Sequence, residues 1–403
     1  MRTFFRLFLL GSLLLTGCPA DVLAQSSGSR PAGYREEVVF FTNTVDNIRF
    51  SAKLTIPTGK GPFPAVVLLS DMGAQDWDAS LGAYRPFAAI ADYMTLEGIA
   101  VLRFDDRGVG RSGGDNTTAT TADRVKDVQA AVNYMRTRSE IDANRVGLLG
   151  HGEGGNVALL TAAQALSPAF VITMAASGVV GRELLARQQL SLRRAGEADT
   201  TREGYARRQQ LAELELRKEA ERMRAEGANS AQIQTAIAQQ QIRARNAAQK
   251  RIEAASRRQL AMFEIIRQMP DNSQAEPIVV NMLRQSNPDL PLERLQTTAG
   301  LLLTPWYRSY LDFDPTPELA KVKCPVLLLH GEQDVEVALA ANLPPLEKAL
   351  KANKKVQVRK LPGVNHQFQA PSSDWPLVTG QLQPIISPLA LETIRDWIRL
   401  QVK

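Results

Sequence analysis

Short apolar runs alternate with helical patterns along most of this 403-residue chain, and that alternation restricts the fold more than any other feature. Ala65–Ser70 is a continuous apolar run, as expected of a strand buried on both faces. Ala83–Leu96 has helical periodicity, and Ile99–Phe104 reads as the next strand. Ala122–Met135 reads as a helix with Val125, Val128, Val132 and Met135 on one side. Val146–Leu149 is a short strand, Gly154–Leu166 a helix and Phe170–Met174 another strand. This repetition predicts a parallel sheet with helices on both faces, an α/β architecture. Two strand-like runs precede it, Glu37–Thr42 and Ile48–Ile56, joined through the turn residues Asp46-Asn47.

The pattern stops at about Gly181 and resumes at Pro325–Leu329. It then continues as helix Pro344–Leu350, strand Val356–Leu361 and a final amphipathic helix Pro388–Val402. Between lies a stretch rich in Arg, Gln, Ala and Glu, all helix formers, without a coiled-coil repeat. From Arg182 to Arg267 it holds 18 Lys+Arg against 11 Asp+Glu, while the whole chain carries a net charge of only +6. The basic character therefore belongs to the insertion and the sheet region is near neutral. The organisation predicted is a core over residues 35–180, a helical cap over 181–300, and the rest of the core over 301–403. A basic cap offers a surface for anionic lipid. Nucleic-acid binding is not expected, because the insertion lacks interleaved aromatics.

Residues 1–24 read as an address. Arg2 and Arg6 open it, Leu7–Leu15 is apolar, and Val22-Leu23-Ala24 ends in small residues, a secretory signal cleaved before Gln25. A competing pattern, Leu15-Thr16-Gly17-Cys18, resembles a lipobox and would lipidate Cys18. Either way the chain is expected to be exported, periplasmic, secreted or lipid-anchored. With Cys18 in the signal, Cys324 is the one cysteine of the mature chain, so no intramolecular disulfide is available. The three histidines, His151, His330 and His366, have no metal-ligand spacing, and neither a catalytic metal nor a cofactor is expected.

Gly150-His151-Gly152-Glu153-Gly154-Gly155 follows the run Val146–Leu149 and opens a helix. That context is a nucleophile elbow, a tight strand-to-helix turn around one strained central residue. The helix start offers the Glu153 N–H to a developing oxyanion. The central residue of a working elbow is Ser, Cys or Asp; here it is Gly152, which has no side chain to attack with. Downstream, Gly331-Glu332-Gln333-Asp334 follows one predicted strand and Gly363-Val364-Asn365-His366 follows another. Nucleophile, acid, histidine is the α/β-hydrolase order, with both partners at strand C-terminal ends.

Together these residues resemble a bacterial α/β-hydrolase family of exported esterases related to acyl-peptidase-like enzymes. Three further segments carry the likeness. They are Phe104-Asp105-Asp106-Arg107-Gly108-Val109-Gly110-Arg111-Ser112, Thr304-Pro305-Trp306 with Asp312-Phe313-Asp314-Pro315, and Leu361-Pro362-Gly363-Val364-Asn365-His366. The resemblance implies a mainly parallel sheet of about eight strands with an inserted helical cap, and hydrolysis of a small acyl ester. In that scheme His366 is general base and acid, Asp334 orients it, and backbone N–H groups of Glu153 and of Asp71 or Met72 form the oxyanion hole. Two departures stand out. The family elbow G-H-S-E-G-G has serine where this chain has Gly152, and its loop S-G-S-G-P-Q-D appears as Ser70-Asp71-Met72-Gly73-Ala74-Gln75-Asp76. The first removes the nucleophile, and the second puts a carboxylate beside a hole meant for negative charge. The expectations are impaired or lost covalent catalysis, slow hydrolysis by a water activated by His366, rescue by Ser70, Ser112 or Ser177, or a scaffold that binds without turnover. If only the nucleophile is missing, Gly152→Ser restores esterase activity.

Overall fold

The computed structural model describes residues 33–188 and 218–403. These fall into two compact units, one holding described residues 33 and 218–244, the other residues 34–188 and 245–403. In the first unit the described chain is helical over residues 218–225 and again from Ser230, where Asn229 and Gln232 exchange hydrogen bonds as a cap. The export and lipobox readings of residues 1–24 fall outside the described residues.

The second unit holds an eight-stranded sheet. Its strands are β1 (Tyr34–Asn43), β2 (Ile48–Pro57), β3 (Phe63–Leu69), β4 (Ala100–Phe104), β5 (Ile141–His151), β6 (Val171–Met174), β7 (Val326–Gly331) and β8 (Val356–Leu361), in the order β1-β2-β4-β3-β5-β6-β7-β8. Strands β1 and β2 run antiparallel to their neighbours, and from β4 to β8 all pairs are parallel. The β3 run is apolar throughout because both of its faces are covered. Val66 and Leu68 pack with α1 (Pro86–Leu96) and the C-terminal helix on one side; Ala65, Val67 and Leu69 pack with α2 (Thr121–Thr137) and α3 (Glu153–Ala162) on the other.

The helical residues after β6 include α4 (Ser230–Gln268), α5 (Asn272–Ser286), α6 (Leu292–Leu302) and α7 (Pro305–Asp312), so helix continues past the expected cap limit at residue 300. Asp271 caps α5. Thr304 caps α7, whose first residue, Pro305, needs no N–H partner. Beyond β7 come α8 (Leu339–Ala349) and α9 (Pro388–Gln401). Helix α8 begins five residues before Pro344, where the sequence reading started it. Pro344 and Pro345 have a fixed φ that fits a helix and give no N–H to the carbonyls of Ala340 and Ala341, two residues that are not buried. Likewise α3 stops at Ala162 rather than Leu166. The small antiparallel pair β9 (Leu377–Val378) and β10 (Gln381–Leu382) has no apolar alternation to announce it.

Strand order reverses between β3 and β5, with β4 on one side of β3 and β5 on the other. In open α/β sheets such a switch leaves a crevice at the carboxyl ends of the strands. In register, Leu69 of β3 lies opposite Gly150 of β5. Two residues further on, Asp71 comes level with Gly152.

The loop after β4 is braced by one cation. The Arg107 guanidinium donates from Nε and Nη2 to both oxygens of Asp127 on α2, each at 2.7 Å, and from Nη2 to Asp46 at 2.6 Å. The Asp127 side chain is 4% exposed, so its charge depends on that partner. Arg107→Ala is expected to cost about 3–5 kcal/mol by stranding a buried carboxylate. Urea denaturation measures this; a cost under about 1 kcal/mol refutes the bracing role.

Candidate active site

Gly152 sits between β5 and α3 at φ +51°, ψ −118°, outside the regions that ordinary side chains favour. Its N–H donates to Met174 O at 2.8 Å, and its carbonyl accepts from Gly155 N–H at 3.0 Å. The elbow is pressed against β3: a Cβ on Gly154 would overlap the carbonyl oxygens of Leu69 and Ser70. This is the predicted turn, and the space where a central side chain belongs is filled by another residue. A Cβ on Gly152 would fall inside the carboxyl group of Asp71, overlapping Oδ1 and Cγ, with Oδ2 at 2.7 Å.

The Asp71 carboxylate is held by both oxygens. Oδ1 accepts from Met72 N–H at 2.7 Å and from Glu153 N–H at 2.8 Å. Oδ2 accepts from His366 Nε2 at 3.1 Å, while His366 Nδ1 donates to Asp334 Oδ2 at 2.9 Å. Asp334 in turn accepts on Oδ1 from the N–H groups of Glu336 (2.9 Å) and Val337 (2.8 Å). The structure thus brings together all six residues picked from the sequence: Asp71, Met72, Gly152, Glu153, Asp334 and His366. One of them stands differently from expectation. Asp71 was expected to give an N–H to the oxyanion hole or to oppose charge beside it. Instead its side chain accepts from the Met72 and Glu153 N–H groups, the donors expected to form that hole. The register of β3 against β5 explains this, because it aims a side chain one bond longer than serine from β3 into the space Gly152 leaves.

The three serines considered as substitutes are engaged elsewhere. Ser70 Oγ donates to Asp106 at 2.7 Å, Ser112 Oγ to Asp105 O at 2.9 Å, and Ser177 Oγ to Val179 O at 3.0 Å.

Comparison with known proteins agrees with the geometry. The serine aminopeptidase family model matches residues 82–260, which contain the elbow. The dienelactone hydrolase family model matches residues 305–385, which contain Asp334 and His366. Esterase EstD of Thermotoga maritima is 37% identical over 102 residues, 25% of this chain and 24% of the relative. The quorum-quenching protein AidA of Acinetobacter baumannii is 32% identical over 120 residues, 29% of this chain and 37% of the relative. The matched stretches thus span about a quarter to a third of these relatives. A hypothetical protein of Pseudomonas aeruginosa shares the fold, with TM-score 0.51 and 16% identity over 94% of this chain and 99% of that one.

The chain has the α/β-hydrolase fold.

Beneath the site lies a set of buried charges that no motif in the sequence announces. The capping box Thr120/Asp123 starts α2, and the next residue, Arg124, reaches under the site. Its Nη2 donates to Ser70 O (2.7 Å) and Ser70 Oγ (2.9 Å), and its Nη1 to Glu153 Oε2 (2.9 Å). Arg124 therefore ties the end of β3 to the first residue of α3, the two segments whose N–H groups hold Asp71. The other Glu153 oxygen accepts from Thr121 Oγ1 (2.7 Å) and Trp306 Nε1 (3.5 Å). Trp306 stacks on Tyr310 and Tyr310 on Phe313, ring centroids 5.3 and 5.5 Å apart, so α7 lays aromatic rings beside the elbow. Burial pushes Asp106 up to about 6 against the pull of Arg124. A signal did exist: an arginine directly after a capping box, on a helix predicted to follow the β4 loop.

His151 and His330 act as braces. His151 Nε2–H donates to the carbonyl of His366 at 2.8 Å, and His330 Nε2–H to the carbonyl of Val337 at 2.6 Å. Among the described residues, Asp71, His151 and His366 bring one ligand-type atom each within 4.8 Å of one another. They come from three different strand ends, so no spacing in the sequence reveals them. A cation there would have to displace the His366–Asp71 hydrogen bond.

The proton balance of the site follows from these contacts. Burial works to lower His366, but the hydrogen bonds to Asp334 and Asp71 and their charges outweigh it and raise it well above an ordinary histidine. Burial works to raise Asp71 and Asp334. The bond from His366, the charges of His151 and His366 and the Glu153 N–H together outweigh it at Asp71, as do the bonds from His330 and His366, the His366 charge and the Val337 N–H at Asp334, and both lie well below the usual carboxylate range. His151 is lowered by burial, then by the His366 charge. At rest the centre is carboxylate–imidazolium–carboxylate. The raised group stabilises the fold fully below about 6.5, and loses that effect as pH rises through its folded value. The two depressed groups stabilise fully above about 3.9, and lose it as pH falls through theirs.

Asp71→Asn removes one of the two charges holding the imidazolium proton, although Asp334, Glu336 and His151 still face it. In ¹⁵N-histidine NMR the variant's His366 is expected to deprotonate at lower pH than the wild type. An unchanged titration refutes the Asp71 ion pair.

Proposed function

We propose that this chain is a small-molecule hydrolase in which Asp71, His366 and Asp334 form the working centre, and the Asp71 carboxylate replaces the missing serine hydroxyl. One observation carries the reading. Asp71 bridges the two backbone N–H donors (2.7 and 2.8 Å) and His366 Nε2 (3.1 Å), the partners a serine-derived intermediate needs. Exposure supports it too. The Asp71 side chain is 13% exposed, whereas His366 is 3% and Asp334 0% exposed, so the carboxylate is the member a ligand can reach. The serine-type acyl-enzyme route is then closed twice, by the absent hydroxyl and by the occupied hole. The esterase name of a partly matching relative supports the hydrolase class.

A second reading, a ligand-binding protein without turnover, draws support from the same contacts, since every donor in the centre already has an acceptor. Kinetics separate the two. Under the first, Asp71→Asn and His366→Ala each lower hydrolysis by roughly a thousandfold or more. Under the second, wild type and variants are equally silent while ligand still raises the melting temperature.

The Cβ overlap at Gly152 also bears on repair. Gly152→Ser alone is expected to lose stability and to gain neither ester hydrolysis nor labelling by a fluorophosphonate. Gly152→Ser combined with Asp71→Gly is expected to take the label at position 152. Activity of the single variant equal to the double one sinks the idea that Asp71 owns that space.

We further propose that the chain is exported and that a lipidated Cys18 or the basic cap brings it to a membrane surface. Intact mass of the chain secreted from a bacterial host is expected to begin at Gln25. A diacylglyceryl mass at Cys18 selects the lipoprotein route, and an uncleaved chain overturns both.

A further inference from the structure

Three side chains meet at or just after the ends of β3, β5 and β8, and hydrolysis by Asp71, His366 and Asp334 leaves one of them, His151, without a chemical task. One oxygen of Asp71 and one ring nitrogen each of His151 and His366 lie within 4.8 Å of one another. The two imidazoles are neighbours, with ring centroids 4.7 Å apart and planes inclined by 37°. Proximity alone makes no site. What marks this one is how each group is held from behind.

His366 turns its Nδ1–H to Asp334 Oδ2 at 2.9 Å, and Asp334 is held in turn by the N–H groups of Glu336 and Val337. His151 gives its Nε2–H to the His366 carbonyl at 2.8 Å, which leaves the ring's lone pair on Nδ1. Asp71 has Oδ1 fixed by the N–H groups of Met72 and Glu153, which leaves Oδ2 to face His366 Nε2 at 3.1 Å. A far nitrogen anchored on a carboxylate or carbonyl, and a ligating carboxylate itself hydrogen-bonded, are the supports that orient metal ligands.

We propose that Asp71 Oδ2, His151 and His366 Nε2 form a site for one divalent ion of the zinc class, which enters in place of the His366 proton and releases that proton to solvent. Around a tetrahedral ion with bonds of about 2.0–2.1 Å, ligand atoms stand roughly 3.4 Å apart. The His366–Asp71 edge, at 3.1 Å, is near that length. The widest gap, at most 4.8 Å, has to close by up to about 1.4 Å, a shift that small side-chain rotations supply.

Charge favours the exchange. Two carboxylates around one imidazolium leave the centre with one negative charge in excess, and a divalent ion in the proton's place balances both carboxylates. Two imidazole ligands select against magnesium and calcium, which take oxygen donors. Three protein ligands leave a fourth position for water or a small ligand, and the Asp71 side chain, 13% exposed, gives the ion its way in. The ion takes Asp71 Oδ2 and His366 Nε2 out of use, so it locks the hydrolytic centre. The site itself does not depend on that centre being active.

The test uses the untagged full chain, stripped with a chelator and titrated with zinc by calorimetry. One zinc per chain is expected, with no heat from magnesium or calcium. Electron paramagnetic resonance of the copper(II) form is expected to show two imidazole nitrogens, a signature that a chain with only three histidines yields at few places. His151→Gln, which keeps an N–H for the His366 carbonyl, and Asp71→Asn are each expected to weaken zinc by more than roughly tenfold, the effect of losing a supporting partner alone. No zinc bound by folded wild type, zinc held equally by both variants, or fewer than two imidazoles on copper overturns the inference and leaves the hydrolytic centre standing. One equivalent of zinc is expected to stop hydrolysis of p-nitrophenyl acetate, and undiminished hydrolysis by the zinc-loaded chain overturns the lock. A zinc-free chain silent toward esters overturns the hydrolase instead, and calorimetry still decides the site.

Discussion

The bridging carboxylate of Asp71 is the interaction around which the site is organised. A single group satisfies two backbone N–H donors at a strand end and a helix start and neutralises a buried imidazolium. Each of these is costly to leave unpaired in a buried place. With Asp71 in position, a residue without a side chain at 152 is a spatial requirement of the centre. The site is a closed electrostatic set, with carboxylates on both sides of one histidine.

The sheet makes this possible. Asp71 and Gly152 are 81 positions apart in sequence, yet they are level because β3 and β5 are parallel neighbours in fixed register at the switch point. Arg124 then fixes the spacing from beneath, bonding the Ser70 carbonyl and the Glu153 carboxylate with one guanidinium. Two neighbouring loops that would otherwise move independently are joined by a planar, always-charged group. The direction of the two N–H donors is therefore set by α2, an element that contributes no atom to the centre.

Much of this was legible in the sequence where the cause is local. The strands from β3 to β7 show as apolar runs because both faces of the sheet are covered. The elbow shows because a turn pressed against β3 admits no Cβ at Gly154. Asp334 and His366 show because each lies in a short loop directly after a strand. What was not legible depends on distance in space. Asp71 could be seen as a foreign carboxylate near the oxyanion loop, but the register that carries it into the nucleophile's place belongs to two strands at once. The same holds for Arg124, whose partners sit on β3 and α3. The start of α8 was misplaced for another reason, since a proline pair usually marks a helix start and here falls inside one.

The overlap between position 152 and the Asp71 carboxylate also shapes the history open to this chain. From an ancestor with serine at the elbow and glycine in the loop, acquiring the aspartate first creates a collision, and losing the serine first leaves an empty site. The same two barriers stand in the reverse direction. With glycine at 152 and aspartate at 71, a single change at 152 is penalised by the overlap, and only a paired change opens that space to another side chain. The centre is a ratchet: lineages carrying this pair are expected to diverge in substrate and cap while keeping the pair itself.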